Sequence, residues 1–222
     1  MITQIIKKFF HVFGLEIRRK IHAPLNNSIA YNSKENTDKF YSNPDLVAKY
    51  ESPKRIAFYN TLITDIKSAV DFNSINTIAD ISAGTGMLLK ILSSHNPEKK
   101  YVGYDFSEAS IQLCKEKYPN IPFEVSNIFD AVTAKFDLVL CISTLEHLEY
   151  PEKAIQNMLT MLNPNGYLYV VVPNGRYDTF EGHIHYWSPE SFKLFLEKLN
   201  CQLVSSKVLN ESAEQVAVIQ NK

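Results

Sequence analysis

"DISAGTG", residues 80–86, follows a short apolar run and precedes the helix-like "MLLKILSS". Gly84 and Gly86 let the backbone come close to a ligand. A strand that enters a helix through such a bend turns free N–H groups and the positive end of the helix dipole toward an anionic or polar group. Glycine pairs also make plain tight turns after strands, so the stretch takes its meaning from its surroundings.

Those surroundings alternate between helix and strand signals. Before the bend, "PKRIAFYNTLITDIKSAV" (53–70) repeats apolar residues at helical spacing, and "TIADI" is β-like. After it come a strand "KYVGYD", a helix "SEASIQLCKEKY" with Ser107 as N-cap, and a strand "FEVSN". "FDLVLCIS" is apolar throughout, as expected of a parallel strand buried on both faces. "PEKAIQNMLTML", "GYLYVVVP" and "SPESFKLFLEKLN" continue the alternation. "CQLVSSKVL" and "EQVAVIQ" have no helix between them and read as an antiparallel hairpin at one edge. The expected fold is α/β: a doubly wound, Rossmann-like, seven-stranded, mostly parallel sheet with helices on both faces.

In such a sheet ligands bind beyond the carboxyl ends of the strands. Asp80, Asp105, Asn127 and Ser143 all fall at or just past such ends. Asp105 closes the second strand, where an acid can accept both hydroxyls of a ribose. A nicotinamide site calls for G-x-G-x-x-G, but Leu89 stands at the third glycine. The carboxylate of Asp80 would repel a pyrophosphate and suits a ligand carrying an ammonium.

Taken together, "IADISAGTG", "VGYDFSEASI", "FEVSNIFD", "FDLVLCISTLEHL" and "LNPNGYLYVVVPN" resemble the class I S-adenosylmethionine-dependent methyltransferases, in their small-molecule branch. The likeness spans roughly residues 77–175. It implies that Asp80, Ser82, Ala83, Gly84 and Gly86 hold the methionine end of S-adenosylmethionine. Asp105 would take the ribose, Phe106 would lie against the adenine, and Asn127 and Ile128 would meet the edge of the ring. Ile142 and Ser143 would line the floor. Ser82 replaces the family's first glycine; at positive φ it would cost about 1 kcal/mol or somewhat more.

The resemblance implies methyl transfer to a small molecule, with oxygen the expected acceptor atom and nitrogen an alternative. His147 and His183 are the candidate bases. His185 stands beside them, as base or as a loop residue packed on aromatic neighbours. No metal is expected, because no third ligand is apparent beside the histidines. The Tyr-rich stretch 31–59 is a candidate lid, with Tyr50 and Arg55 placed to reach a carboxylate. The rival readings are a nicotinamide-dependent oxidoreductase and a non-catalytic relative that binds S-adenosylmethionine.

The chain has 222 residues, 45% of them hydrophobic, with a net charge of −1. That suits one globular domain and offers no basic field for nucleic acid. Cys114, Cys141 and Cys201 form no CxxC pair, which points to a reducing, cytoplasmic setting. No stretch is apolar enough to span a membrane. Residues 1–52 read as an amphipathic helix and a lid-like segment, and 53–222 as the methyltransferase domain. Over residues 2–17 isoleucines and phenylalanines share one helical face, with basic residues opposite. Such a helix can lie on the inner face of a membrane, suggesting a glycan or lipid-linked acceptor, or it can pack on the domain or on the second copy of a homodimer.

Overall fold

The apolar run Phe136–Ile142 lies in the middle of a seven-stranded sheet in the computed structural model, which describes residues 31–209 and 213–221. The amphipathic helix expected over residues 2–17 lies outside the described residues. The strands are β1 (Thr77–Ile81), β2 (Lys100–Asp105), β3 (Phe123–Val125), β4 (Phe136–Ile142), β5 (Leu162–Pro173), β6 (Gln202–Val208) and β7 (Glu214–Gln220), in the order β3-β2-β1-β4-β5-β7-β6. All neighbours pair in parallel except β7, which is antiparallel to both β5 and β6.

The interior place of β4 explains its composition. Leu138 and Leu140 enter the core on one face, Val139 and Cys141 the core on the other, and all four are buried. Both faces need apolar side chains, so no polar alternation appears. The closing hairpin follows the same logic. In β7, Gln215 to Ile219 are buried, and this strand slots in beside β5. β6 carries Gln202, Ser205, Ser206 and Lys207 among its apolar residues and takes the outer edge, where polar groups discourage further pairing.

The described residues form seven helices: α1 (Lys34–Tyr41), α2 (Pro44–Tyr50), α3 (Pro53–Ala69), α4 (Met87–His95), α5 (Glu108–Lys117), α6 (Pro151–Thr160) and α7 (Pro189–Glu197). Leu62 and Ile66 of α3, Leu89 and Leu92 of α4 and Ile111 of α5 pack on one face. Ile155 and Met158 of α6 with Phe192 and Leu196 of α7 pack on the other. Side-chain caps at Ser52, Ser107 and Ser188 start α3, α5 and α7, and the first and last are followed by proline.

Two elements differ from the sequence reading. β3 stops at Val125 rather than Asn127, because the side chain of Asn127 accepts the Phe129 N–H at 3.0 Å and closes a turn. β5 begins at Leu162, four residues before "GYLYVVVP", with a register shift opposite Phe136–Leu138 and Asn165 at φ 64°. The described part of the lid-like segment holds α1 and α2, capped by Ser33 and Asn43.

Candidate active site

Between β1 and α4 the backbone is left-handed at three places, Ser82 (φ 69°), Gly84 (φ 57°) and Gly86 (φ 71°). Ser82 therefore carries the strain that its sequence position left open. The loop is anchored from β2 and α5. Asp105 accepts the Gly84 N–H and the Ser107 N–H, each at 2.9 Å, and the Ser110 hydroxyl donates to the Gly84 carbonyl at 2.6 Å. Asp80 is 3% exposed, and its pKa is pushed up to about 8 by burial and then by the nearby Asp105 carboxylate. Burial also raises Asp105, against which the loop N–H groups act.

Over these strand ends lies a cavity of about 1010 Å³. That is at the large end of ligand sites and leaves room for a nucleoside-amino acid and a small acceptor together. Asp80, Ser82, Ala83, Gly84 and Asp105 line it, as do Phe106, Asn127, Ile128 and Ile142. Gly86 does not. A Cβ there would stand 2.9 Å from Phe123 Cζ and 3.0 Å from Cys114 Sγ, so this glycine serves helix packing. The carbonyl of Asn127 already holds the Phe129 N–H, and its second lone pair remains for a ligand.

Phe40, Tyr41, Tyr50, Arg55 and Tyr59, all from the stretch 31–59, also line the cavity. Arg55 is half-buried. It lines the cavity, touches the Tyr59 hydroxyl at 3.4 Å and lies over the rings of Tyr50, Phe58 and Tyr59 at 5.2, 4.7 and 5.2 Å.

His147, in the 3-10 turn Leu145–His147, meets His183 with ring centroids 4.6 Å apart, and both line the cavity. His147 Nδ1 lies 3.2 Å from the Gly182 carbonyl; His183 Nδ1 lies 2.5 Å from Asp178 Oδ2. Burial, and then His183, push the His147 pKa down to about 4, far from the neutral value that suits a general base. His185 stacks on Trp187 at 4.6 Å, bonds the Leu148 carbonyl at 2.8 Å and stays out of the cavity.

Several groups at the site escaped the sequence reading: Glu146, Asp178 and Glu214 on this side, and Tyr41 over the loop. Glu146 is 1% exposed, and burial raises its pKa well above the usual carboxylate range. Its sequence signal was its place beside His147. Asp178 sits in unpatterned sequence and Glu214 opens the run "EQVAVIQ"; the two come together only through the fold.

A family model described as a methyltransferase domain matches residues 54–206. The trans-aconitate 2-methyltransferase of Variovorax paradoxus is 26% identical over 136 residues, 60% of this chain and 51% of that protein. A ubiquinone biosynthesis O-methyltransferase of Coxiella burnetii is 26% identical over 109 residues, 46% of each chain. The chain thus spans about half the length of these curated relatives. Among solved structures, an S-adenosylmethionine-dependent methyltransferase from Aquifex aeolicus superposes with a TM-score of 0.66 at 16% identity, covering 80% of this chain and 97% of that one. The plantazolicin methyltransferase BpumL with bound S-adenosylhomocysteine gives 0.61 at 15% identity, covering 89% and 99%. These two share the fold.

Proposed function

The chain belongs to the methyltransferase-domain family, whose model matches residues 54–206, and from this premise we propose that it methylates a small molecule on oxygen. The observation that carries the reading is that one cavity joins the Asp80–Asp105 end to the His147–His183 end. When bound there, S-adenosylmethionine supplies a methyl carbon made electrophilic by its sulfonium. Asp80 in its ionised form would hold the ammonium of the aminoacyl tail, and Arg55 its carboxylate. Asp105 would take the ribose hydroxyls and Phe106 the adenine. Ser82, Ala83 and Gly84 shape the floor under the tail, and Gly86 supports them through its packing.

On the acceptor side, His147 and His183 would line the place where the atom that receives the methyl group sits. Oxygen is favoured by the relative named as an O-methyltransferase. A glycan or lipid-linked acceptor is a narrower reading that rests on residues 2–17 alone, as does contact with a membrane or a second copy. Among the described residues no helix is long and apolar enough to cross a membrane.

The test is incubation with methyl-labelled cofactor and a fractionated cell extract. Label in a small polar or organic-soluble compound, released as methanol by mild base or as methyl iodide by hydriodic acid under conditions that leave methylated amines intact, supports the proposal. Label that enters only protein or nucleic acid overturns it. Calorimetry of Asp105→Ala separates the cofactor side, since undiminished heat with S-adenosylmethionine would remove the ribose assignment.

A further inference from the structure

We infer that Glu146, His147 and His183 form a binding site for one divalent transition-metal ion at the acceptor end of the cavity. One ligand atom from each lies within 4.8 Å of the others, so they surround a common point. The sequence suggested no metal because only histidines were in view; Glu146 is the third ligand, brought to His183 by the fold.

The hydrogen bonds prepare both rings. A carbonyl only accepts, so the 3.2 Å contact with the Gly182 carbonyl puts the proton of His147 on Nδ1. The Asp178 carboxylate at 2.5 Å does the same for His183. Each Nε2 keeps a lone pair for the ion. Metal-binding histidines are held in this way, with the far N–H given to a carbonyl or a carboxylate.

Glu146 supplies an independent observation. Neither of its carboxylate oxygens makes a hydrogen bond to another residue, although both are buried. Leaving such a group alone is costly, and a cation would relieve it. Oε1 stands 3.9 Å from His183 Nε2, too far for a hydrogen bond. Two ligands of one ion stand roughly 3.0–3.5 Å apart, so a small side-chain rotation closes the gap. The backbone is already fixed: the Ile184 and His185 N–H groups donate to the Glu146 carbonyl at 2.7 and 3.1 Å. Asn32 donates to the Gly182 carbonyl at 2.8 Å.

Two imidazoles and one carboxylate suit Mn²⁺, Fe²⁺, Co²⁺ or Zn²⁺ better than Ca²⁺. Three protein ligands leave positions open toward the cavity that all three line. An acceptor hydroxyl bound there loses its proton to solvent more readily, which leaves an oxygen lone pair for methyl transfer. This role rests on the proposed methyl transfer; binding of the ion does not.

The experiment titrates Co²⁺ alone into the chelator-treated full chain, followed by calorimetry and visible absorption. One ion per chain is expected, with bands typical of nitrogen and oxygen ligands. Glu146→Gln and His183→Gln should each weaken binding by tenfold or more, and Asp178→Asn, which only orients His183, by about ten- to a hundredfold. Each variant is checked for folding by S-adenosylhomocysteine binding; if a ligand variant does not fold, Asp178→Asn carries the test. Absence of binding at millimolar Co²⁺ overturns the site, as does affinity that survives these changes. Co²⁺ binding in a chain that ignores S-adenosylhomocysteine would sink the methyltransfer reading and leave the metal site standing.

Discussion

The hydroxyl of Ser107 donates to Asp38 Oδ1 at 2.6 Å, and the same oxygen takes the Ala109 N–H at 3.3 Å. A residue of α1 thus sits on the first turn of α5, where unpaired N–H groups and the helix dipole favour a carboxylate. Ser107 also accepts the Ser110 N–H at 3.1 Å. The contact fastens α1 to the element that carries Asp105, and the hydroxyl of Tyr41, from the same helix, lies beside Gly84.

Cutting that fastening should weaken the cofactor without touching it. A hydrogen bond to a charged group contributes about 1.5 kcal/mol or more, which is about tenfold in affinity. Asp38→Ala should therefore raise the S-adenosylhomocysteine Kd about tenfold and expose the 31–52 segment to proteases. An unaltered Kd would mean that α1 does not act as a lid.

Gly84 is constrained twice. Its φ is 57°, and a Cβ would stand 2.9 Å from the Tyr41 hydroxyl. Gly84→Ala should cost about 1–2 kcal/mol for the left-handed backbone, with a further loss where Tyr41 is pushed aside. Removing the hydroxyl in Gly84→Ala/Tyr41→Phe should restore only the second part. Chemical denaturation of both variants checks this, and full recovery in the double variant would show that the backbone carries no strain.

The elements were legible where local chemistry decides them. β1, β2 and β7 match the runs "TIADI", "KYVGYD" and "EQVAVIQ", because short apolar strands with charged or polar ends leave little choice of boundary. Ser107 announced its helix through cap chemistry. The acids and glycines of the cofactor end could be read because a fixed turn puts them on one loop. At the acceptor end only His147 and His183 could be read. Glu146 meets His183, and Asp38 meets Ser107, only after distant segments fold together, and no periodicity encodes such a meeting. The backbone of Ser82 was undecided for a related reason, since the residue type permits either sign of φ and the surrounding loop selects the positive one.

Asp80 should make cofactor binding release protons. Its carboxyl moves from 3.8 in the unfolded chain to about 8 in the folded one, through burial first and Asp105 second. The folded protein then holds a proton that the unfolded chain has lost. Stability from this group is full below about pH 4 and falls as pH rises toward the folded pKa. An ammonium placed beside Asp80 favours its ionised form, so S-adenosylhomocysteine should expel a proton at pH 7 and none above about pH 9. Calorimetry in buffers of different ionisation heat counts that proton. 5′-Methylthioadenosine, which lacks the aminoacyl tail, should expel none; equal release by both ligands would remove Asp80 from the tail site.

Arg55 sets the last prediction, because its surroundings are unusual for a cation in a ligand cavity. It touches a tyrosine hydroxyl and lies over three ring faces, and its charge acts on the Glu214 and Glu146 carboxyls. Stacking fixes the guanidinium plane while leaving donors for a carboxylate, which a guanidinium grips in two parallel hydrogen bonds. Arg55→Met keeps much of the apolar stem and deletes the charge. S-adenosylhomocysteine should then bind about ten- to a hundredfold more weakly, while 5′-methylthioadenosine should bind as before. Loss of both affinities would instead assign Arg55 to holding Tyr50 and Tyr59 in place. Arg55→Lys distinguishes the causes further. It restores charge without the planar fork, so a tail-binding role predicts partial recovery for S-adenosylhomocysteine alone.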